Sequence, residues 1–281
     1  MEICFIEARY SAIVLNNHSQ VSDSLLLSTL SPIQRGDAVH QDLLDHQLLL
    51  LSDIPGVTID ATLKPGETAG TSDLLVATNP KPAVSSLVSL DNYGTGESGR
   101  VRLSGTAQIF NLLHHGDILS ATGLTAGTAM NYGRLGYKML LNDLGTRLGG
   151  SYSALHYHLS SALSSLDAHG TAQVGSIWLR HPLVRRQAAN VYGQLQYDRL
   201  QLRDDIDASA VATHRHIGSW TLSLNGDWRD SLLYGAVSSQ YRFTPGSACK
   251  YSFCARMDRD QQKILKPMSL KSLQEPRLLF K

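Results

Sequence analysis

Cysteine is scarce in this chain, and proline is nearly absent from residues 83–246. Its three cysteines are Cys4, Cys249 and Cys254, so the 244 residues between the first two contain none. That spacing offers neither a zinc box nor an even disulfide framework. Between residues 83 and 246 the only prolines are Pro182 and Pro245, which leaves long strands uninterrupted. No run of 18 apolar residues occurs, so no transmembrane helix is expected; Leu48–Leu51, as long as any apolar stretch here, belongs to an amphipathic helix. Charge of one sign is missing as well. With 25 Lys+Arg against 24 Asp+Glu there is no basic excess to bind nucleic acid, and none is expected as a partner. Met1–Glu7 has neither a basic n-region nor an apolar h-region, so no signal peptide is read there.

Glycine and tyrosine are plentiful: 23 Gly, and 11 Tyr against 5 Phe. Tyrosine suits a boundary between apolar and aqueous surroundings. Charge is unevenly placed. Residues 246–281 carry eight Lys/Arg and three acids, net +5, which leaves about −4 for the rest.

Residues 5–80 read as a βααββ unit. Ala8–Leu15 is a first strand, and Ser22 or Asp23 starts a helix with Leu25, Leu26 and Leu30 on one face. Leu43, Leu44, Leu48 and Leu51 recur at helical spacing over about 39–53, and Pro55-Gly56 ends that helix. Val57–Leu63 alternates as a half-buried strand, Lys64–Gly70 is a hairpin loop, and Ser72–Ala77 is the last strand. Asn79–Pro82 reads as a stiff linker.

From residue 83 to 245 the period changes to two. Val101, Leu103, Gly105, Ala107 and Ile109 alternate with Arg100, Arg102, Ser104, Thr106 and Gln108; Trp220, Leu222, Leu224, Gly226 and Trp228 alternate with Thr221, Ser223, Asn225 and Asp227. Similar segments near 84–93, 118–126, 130–140, 146–159, 170–180, 190–202 and 234–243 bring the count to about nine strands of about 9–13 residues. Globular strands run shorter, about 5–6 residues. Length, apolar faces ending in Tyr or Trp, and polar faces with Arg, Lys, Gln and Asp fit antiparallel strands of an outer-membrane barrel. On this reading Arg102, Arg134 and Lys138 face the lumen. Beyond residue 246 the alternation stops, and an unstructured tail is expected.

Chemistry is sparse. Gly94-Thr-Gly96-Glu-Ser-Gly99 spells G-x-G-x-x-G, but Arg100–Ile109 continues as a strand where a nucleotide site needs a helix. His156/His158 and His214/His216 are pairs without further ligands at usable spacing. Asp204, Asp205 and Asp207 lack the glycine and terminal glutamate of a calcium loop and read as a surface loop. There is no nucleophile elbow. No enzyme, metal or cofactor is expected.

Several stretches together resemble the TpsB transporters of two-partner secretion, the haemolysin secretion/activation family of the Omp85 superfamily. In the first unit they are Ser11–Ser19, Leu48–Val57, Leu63–Gly66 and Gly70–Val76; beyond it they are Leu90–Gly94, Asn131–Tyr137, Gly145–Gly149, Leu166–Gly170 and Leu202–Asp207. The resemblance covers about 8–245. It implies that 5–80 is the second POTRA domain, in the periplasm, and that 83–245 is the first half of a sixteen-stranded barrel in outer-membrane lipid. The partner it implies is a secreted TpsA-type exoprotein. By analogy with the family, the partner adds to the edge strand Val57, Thr58, Ile59, Asp60, Ala61, Thr62 and Leu63, and proline at Thr58 or Asp60 is expected to abolish binding by deleting a donor. Against the family's full form, the chain reads as a truncated, non-functional fragment. A soluble β-rich binding protein and a passive diffusion porin are the alternatives.

Overall fold

The computed structural model describes residues 7–95, 99–158, 168–206, 211–229, 236–243 and 248–251. The first strand, β1 (Arg9–Asn17), is followed by two helices, α1 (Asp23–Leu30) and α2 (Gln41–Ser52), and then by β2 (Val57–Pro65) and β3 (Thr71–Pro80). This is the expected βααββ order. β3 outruns its predicted end and takes in Asn79 and Pro80, so the connection to the next strand is only 81–83. Asp23 lies in the first turn of α1, where a carboxylate suits the helix dipole. The sheet order is β1-β3-β2, with β1 parallel and β2 antiparallel to β3.

The helices cover one face of that sheet. Leu26 and Leu30 from α1, and Leu51 from α2, with Ile54 just beyond it, meet Tyr10, Val57, Leu74 and Val76 in one buried cluster. Leu25, Leu43, Leu44 and Leu48 flank it, half-buried. Fully burying aliphatic side chains contributes roughly 1.5–3 kcal/mol each. Leu140, from beyond the unit, enters the same cluster.

The remaining strands form one antiparallel sheet in sequence order: β4 (Val84–Asp91), β5 (Arg102–Phe110), β6 (Ile118–Thr125), β7 (Met130–Leu140), β8 (Arg147–His158), β9 (Ala168–Arg185), β10 (Ala189–Ile206), β11 (Val211–Arg229) and β12 (Ala236–Phe243). Among the described residues these nine correspond to the nine predicted segments. A tenth, β13 (Ala248–Tyr251), pairs with β11 at Arg215–Gly218, in the region expected to be an unstructured tail; residues 252–281 are outside the described set. β9, β10 and β11 are 18, 18 and 19 residues long, well beyond the predicted 9–13. β10 therefore includes Asp204 and Asp205, which are strand residues and not part of a loop; Asp207 is outside the described residues. No described helix is long and apolar enough to cross a membrane, which says nothing about strands.

Aromatic rings lie over glycines on neighbouring strands. Gly149 is paired with Trp178, and a Cβ at Gly149 would overlap the indole. Gly170, paired with Tyr157, makes the same room for a phenol ring. Rings laid across bare backbone recover the packing that glycine forfeits. Gly149→Ala is therefore expected to lower stability by about 1–3 kcal/mol through overpacking, read as a lower urea midpoint in micelles; an unchanged midpoint would contradict this packing.

Candidate functional site

The hairpin turns at one end of the large sheet hold the small unit. In the turn 111–117, Asp117 is fully buried and accepts the Leu113 N–H at 3.0 Å, which shapes the loop. Asn111 Nδ2 donates to the Pro55 carbonyl at 2.7 Å, and the Ser22 N–H donates to the His114 carbonyl at 3.1 Å. In the turn 141–146, Gly145 has φ +79°, and a Cβ there would meet Leu50 of α2 and Pro182 of β9. Glycine is needed at that position for both conformation and space. At the third turn, Asp53 receives a two-pronged ion pair from Arg185: Nε to Oδ2 at 2.8 Å and Nη2 to Oδ1 at 2.9 Å. The Arg147 guanidinium donates to the Asp53 carbonyl, and His46 Nδ1 is 2.9 Å from the Arg185 carbonyl.

Arg185 reaches Asp53 because of a bulge. The β9–β10 register shifts between Val191 and Tyr192, so that Tyr192 faces Pro182 while Val191 faces Val184 and Asn190 faces Arg185. Leu183 is the extra residue. Without it Arg185 would point to the opposite face. From there a chain of hydrogen bonds runs across the sheet: Arg185 Nη1 to Asn190 at 2.6 Å, then Asn190 Nδ2 to Asp227 at 2.8 Å. Pattern reading missed Asp53, Arg147, Arg185, Asn190 and Asp227. Its strand near 170–180 stopped short of the bulge, and no periodicity announces a contact more than 130 residues away.

Register sorts the sheet into two faces. Arg102, Arg134 and Lys138 share one of them: Thr106 faces Leu87 and Thr122, Thr122 faces Arg134, and Ile118 faces Phe110 and Lys138. Arg102 pairs with Asp91 at 2.8 Å and Arg134 Nη2 donates to Ser151 at 3.0 Å. The same face holds Ser176 bonded to Asp198 at 2.6 Å, and Gln194 bonded to Gln196 at 3.0 Å. It is not uniformly polar, since Val174, Leu200 and Ile217 share one row of it. The opposite face carries Leu135, Ile177, Leu179, Leu195, Leu222 and Leu224, all exposed. On β11 this face runs Trp220, Leu222, Leu224, Gly226, Trp228. The two indoles are eight residues apart, about 27 Å along a strand and about 20 Å along the normal at a 40° tilt, close to the ~25 Å apolar band of outer-membrane barrels.

The other candidate is the β2 edge. The Lys81 N–H donates to Gly56 O at 2.8 Å and the Gly66 N–H to Thr71 O at 2.9 Å. Both pairs follow the β2–β3 register. Even-numbered β2 residues therefore bond β3, and the N–H groups of Val57, Ile59, Ala61 and Leu63 turn to the free edge. This corrects the expectation for proline: at Thr58 or Asp60 it would break the unit's own ladder. Val57 is core and Ile59 half-buried against it, while Thr58, Asp60, Ala61, Thr62 and Leu63 are exposed. The opposite edge is partly covered: the Tyr10 N–H donates to Asp37 O, the Gly36 N–H to Tyr10 O and the Val39 N–H to Ala8 O.

The remaining candidates stay apart. The glycine-rich stretch leads into β5 and no helix follows it; residues 96–98 are outside the described set. Among the described residues no three His, Cys, Asp or Glu are placed to hold a metal. Asp204 accepts from Tyr157 Oη at 2.7 Å and pairs with Arg215, and Asp205 pairs with Arg203 at 2.8 Å.

A sheet of long antiparallel strands, apolar on one face between Trp220 and Trp228, with a small α/β unit seated on its turns, has the form of a partial antiparallel β-barrel. Solved structures share that fold: CdiB from Escherichia coli (TM-score 0.67, 19% identity, covering 90% of this chain and 47% of that one) and CdiB from Acinetobacter baumannii (TM-score 0.62, 22%, covering 86% and 46%). BamA from Haemophilus ducreyi lacking POTRA domains 1–3 is more distant, at TM-score 0.52 and 16% identity, covering 86% and 49%. The chain belongs to the haemolysin secretion/activation protein family ShlB/FhaC/HecB, which matches residues 70–247, more than half of it. It is similar to the heme/hemopexin transporter protein HuxB of Haemophilus influenzae strain 86-028NP, 29% identical over 247 residues, which cover 86% of this chain and 44% of the relative. The chain thus spans about half the length of the curated relatives it matches.

Asp53→Ala should unseat the small unit, because it leaves the partly buried Arg185 without its carboxylate, a loss of about 1.5–3 kcal/mol for a charged hydrogen bond. The expected readout is faster protease cleavage at the 81–83 connection in Asp53→Ala than in wild type. Equal cleavage rates would show that the turns alone hold the unit.

Proposed function

We propose that this chain forms part of an outer-membrane transporter of two-partner secretion, with 5–80 a periplasmic POTRA domain and 83–245 membrane-spanning strands. The observation that carries this reading is the register-continuous sheet with an apolar face bracketed by Trp220 and Trp228. In hydrocarbon every backbone polar group has to be paired, which favours long unbroken antiparallel strands, and the apolar face then meets lipid. Arg102, Arg134 and Lys138 on the other face line the lumen. The strands close into a barrel only when both sheet edges are paired.

In this reading β2 receives an extended segment of the secreted partner protein by strand addition. The edge offers four donors, and the exposed Leu63 provides an apolar contact for alternate side chains. Recognition through main-chain bonds tolerates side-chain changes, so Thr58→Ala is expected to have little effect on secretion.

Location is tested by fractionation. The protein is expected in the outer membrane, and recovery as a soluble periplasmic protein would refute the barrel. Edge addition is tested by Ala61→Pro, which deletes an outward donor at a position exposed on the edge. Secretion of the partner should fall about five- to tenfold, the weight of one hydrogen bond plus local distortion. Normal secretion by a variant whose small unit keeps its circular dichroism would count against strand addition at β2.

A further inference from the structure

Strands β8 to β11 continue past the upper aromatic row, and their apolar face changes chemistry there. Following the register, Leu148–Leu179–Leu195–Leu222 is succeeded by Gly150–Ile177–Tyr197–Trp220, in which the Tyr197 and Trp220 rings are 4.9 Å apart. The next row places Arg199 beside Tyr152 across Gly175. Above it come Gln173, Gln201 and His216, then His156, Thr171, Arg203 and His214. No aliphatic side chain larger than alanine appears in these three rows. Each row adds about 6.6 Å along the strand, or about 5 Å along the normal. Along β11 the belt therefore spans about 5–15 Å beyond the Trp220 ring, shifted by about 3 Å for each neighbouring strand at that tilt, at the end of the sheet opposite the seated small unit.

We propose that this belt binds the phosphate groups of anionic glycolipids in the leaflet facing away from the small unit. The inference rests on the outer-membrane reading above and adds a ligand to it. The belt is continuous with the lipid-facing surface and begins where the aromatic row marks the end of hydrocarbon, so headgroups are the molecules at that height. Arg199 is exposed and forms no ion pair with the described residues; Arg203 is held by Asp205, the one carboxylate on this surface of β8–β11 above the aromatic row. His156 and His216, also exposed, add ring N–H donors on either side of the arginines. Guanidinium groups bind phosphate through paired N–H bonds. Strands much longer than a membrane requires have here a reason to remain paired above it: they hold this row of donors in fixed register.

The test uses the full chain, reconstituted in phosphatidylcholine vesicles or micelles with lipid A as the probe. Native mass spectrometry and co-sedimentation are expected to show retained lipid A, with dephosphorylated lipid A retained weakly. Arg199→Gln should reduce retention about fivefold, the weight of one arginine near an anionic surface. Arg199→Lys should restore most of it, and Arg35→Gln, in the small unit, should change nothing. Equal retention of phosphorylated and dephosphorylated lipid, or no loss in Arg199→Gln, would overturn the proposal while leaving the barrel intact. Displacement of lipid A by millimolar inorganic phosphate would overturn it in favour of a free-phosphate site. A chain that inserts into no bilayer would overturn the outer-membrane reading and this one with it.

Discussion

One constraint governs the large sheet: side chains alternate strictly, so the register of each strand pair fixes which face every residue occupies. From β4 to β11 that register shifts once, between Val191 and Tyr192. Every row discussed above depends on this continuity. A slip of one residue in any pair would carry its arginines to the apolar face and its leucines to the polar one. In hydrocarbon such an exchange costs about 2–4 kcal/mol for each basic residue near the midplane. The cross-strand contacts of Arg102 with Asp91, Ser176 with Asp198 and Asn190 with Asp227 penalise the same slips from the other side.

The single shift has a use. Pro182 has no N–H for a ladder, and a bulge beside it is where a sheet interior accommodates proline. The extra residue, Leu183, rotates Arg185 onto the polar face, where it meets Asp53 and, through Asn190, Asp227. A local defect in one strand thereby ties the small unit to β9, β10 and β11. The other two turns act through shape and hydrogen bonds, with Gly145 accommodating Leu50 and Asn111 holding the Pro55 carbonyl. Leu140 completes the arrangement by entering the core that Leu26 and Leu51 build.

Much of this was legible in sequence because periodicity reports which side of an element is buried. The βααββ order, the two-faced strands and the shared face of Arg102, Arg134 and Lys138 follow from spacing alone. The misses share a physical cause. Above the aromatic row the outer face of β9, β10 and β11 turns polar while the other face keeps Val174, Leu200, Leu202 and Ile217, so the contrast between faces that marks a half-buried strand is lost before the hydrogen bonds are. β13, Ala248–Tyr251, is too short and polar to show a period at all. The bulge at Leu183 and the pairing of Asp53 with Arg185 depend on contacts between distant segments, which no local pattern carries.

The parity of β2 shows why an edge, once identified, still needs its register. Alternation tells that Val57 and Ile59 face the helices, and the same alternation decides which backbone groups face outward, but the two assignments are independent. The bonds from Lys81 to Gly56 and from Gly66 to Thr71 tie them together, so the residues with core-side side chains are also those with outward N–H groups. An incoming strand would therefore bond residues whose side chains lie on the α2 side. Its own side chains would alternate between solvent and the helix-covered side of the sheet, and Leu63 on β2 is exposed. β1, the opposite edge, has its first residues already bonded to the segment from Gly36 to Val39. Among the described residues, coverage on one side and freedom on the other leave β2 as the open edge of the small unit, and main-chain geometry, more than any one side chain, gives that edge its direction.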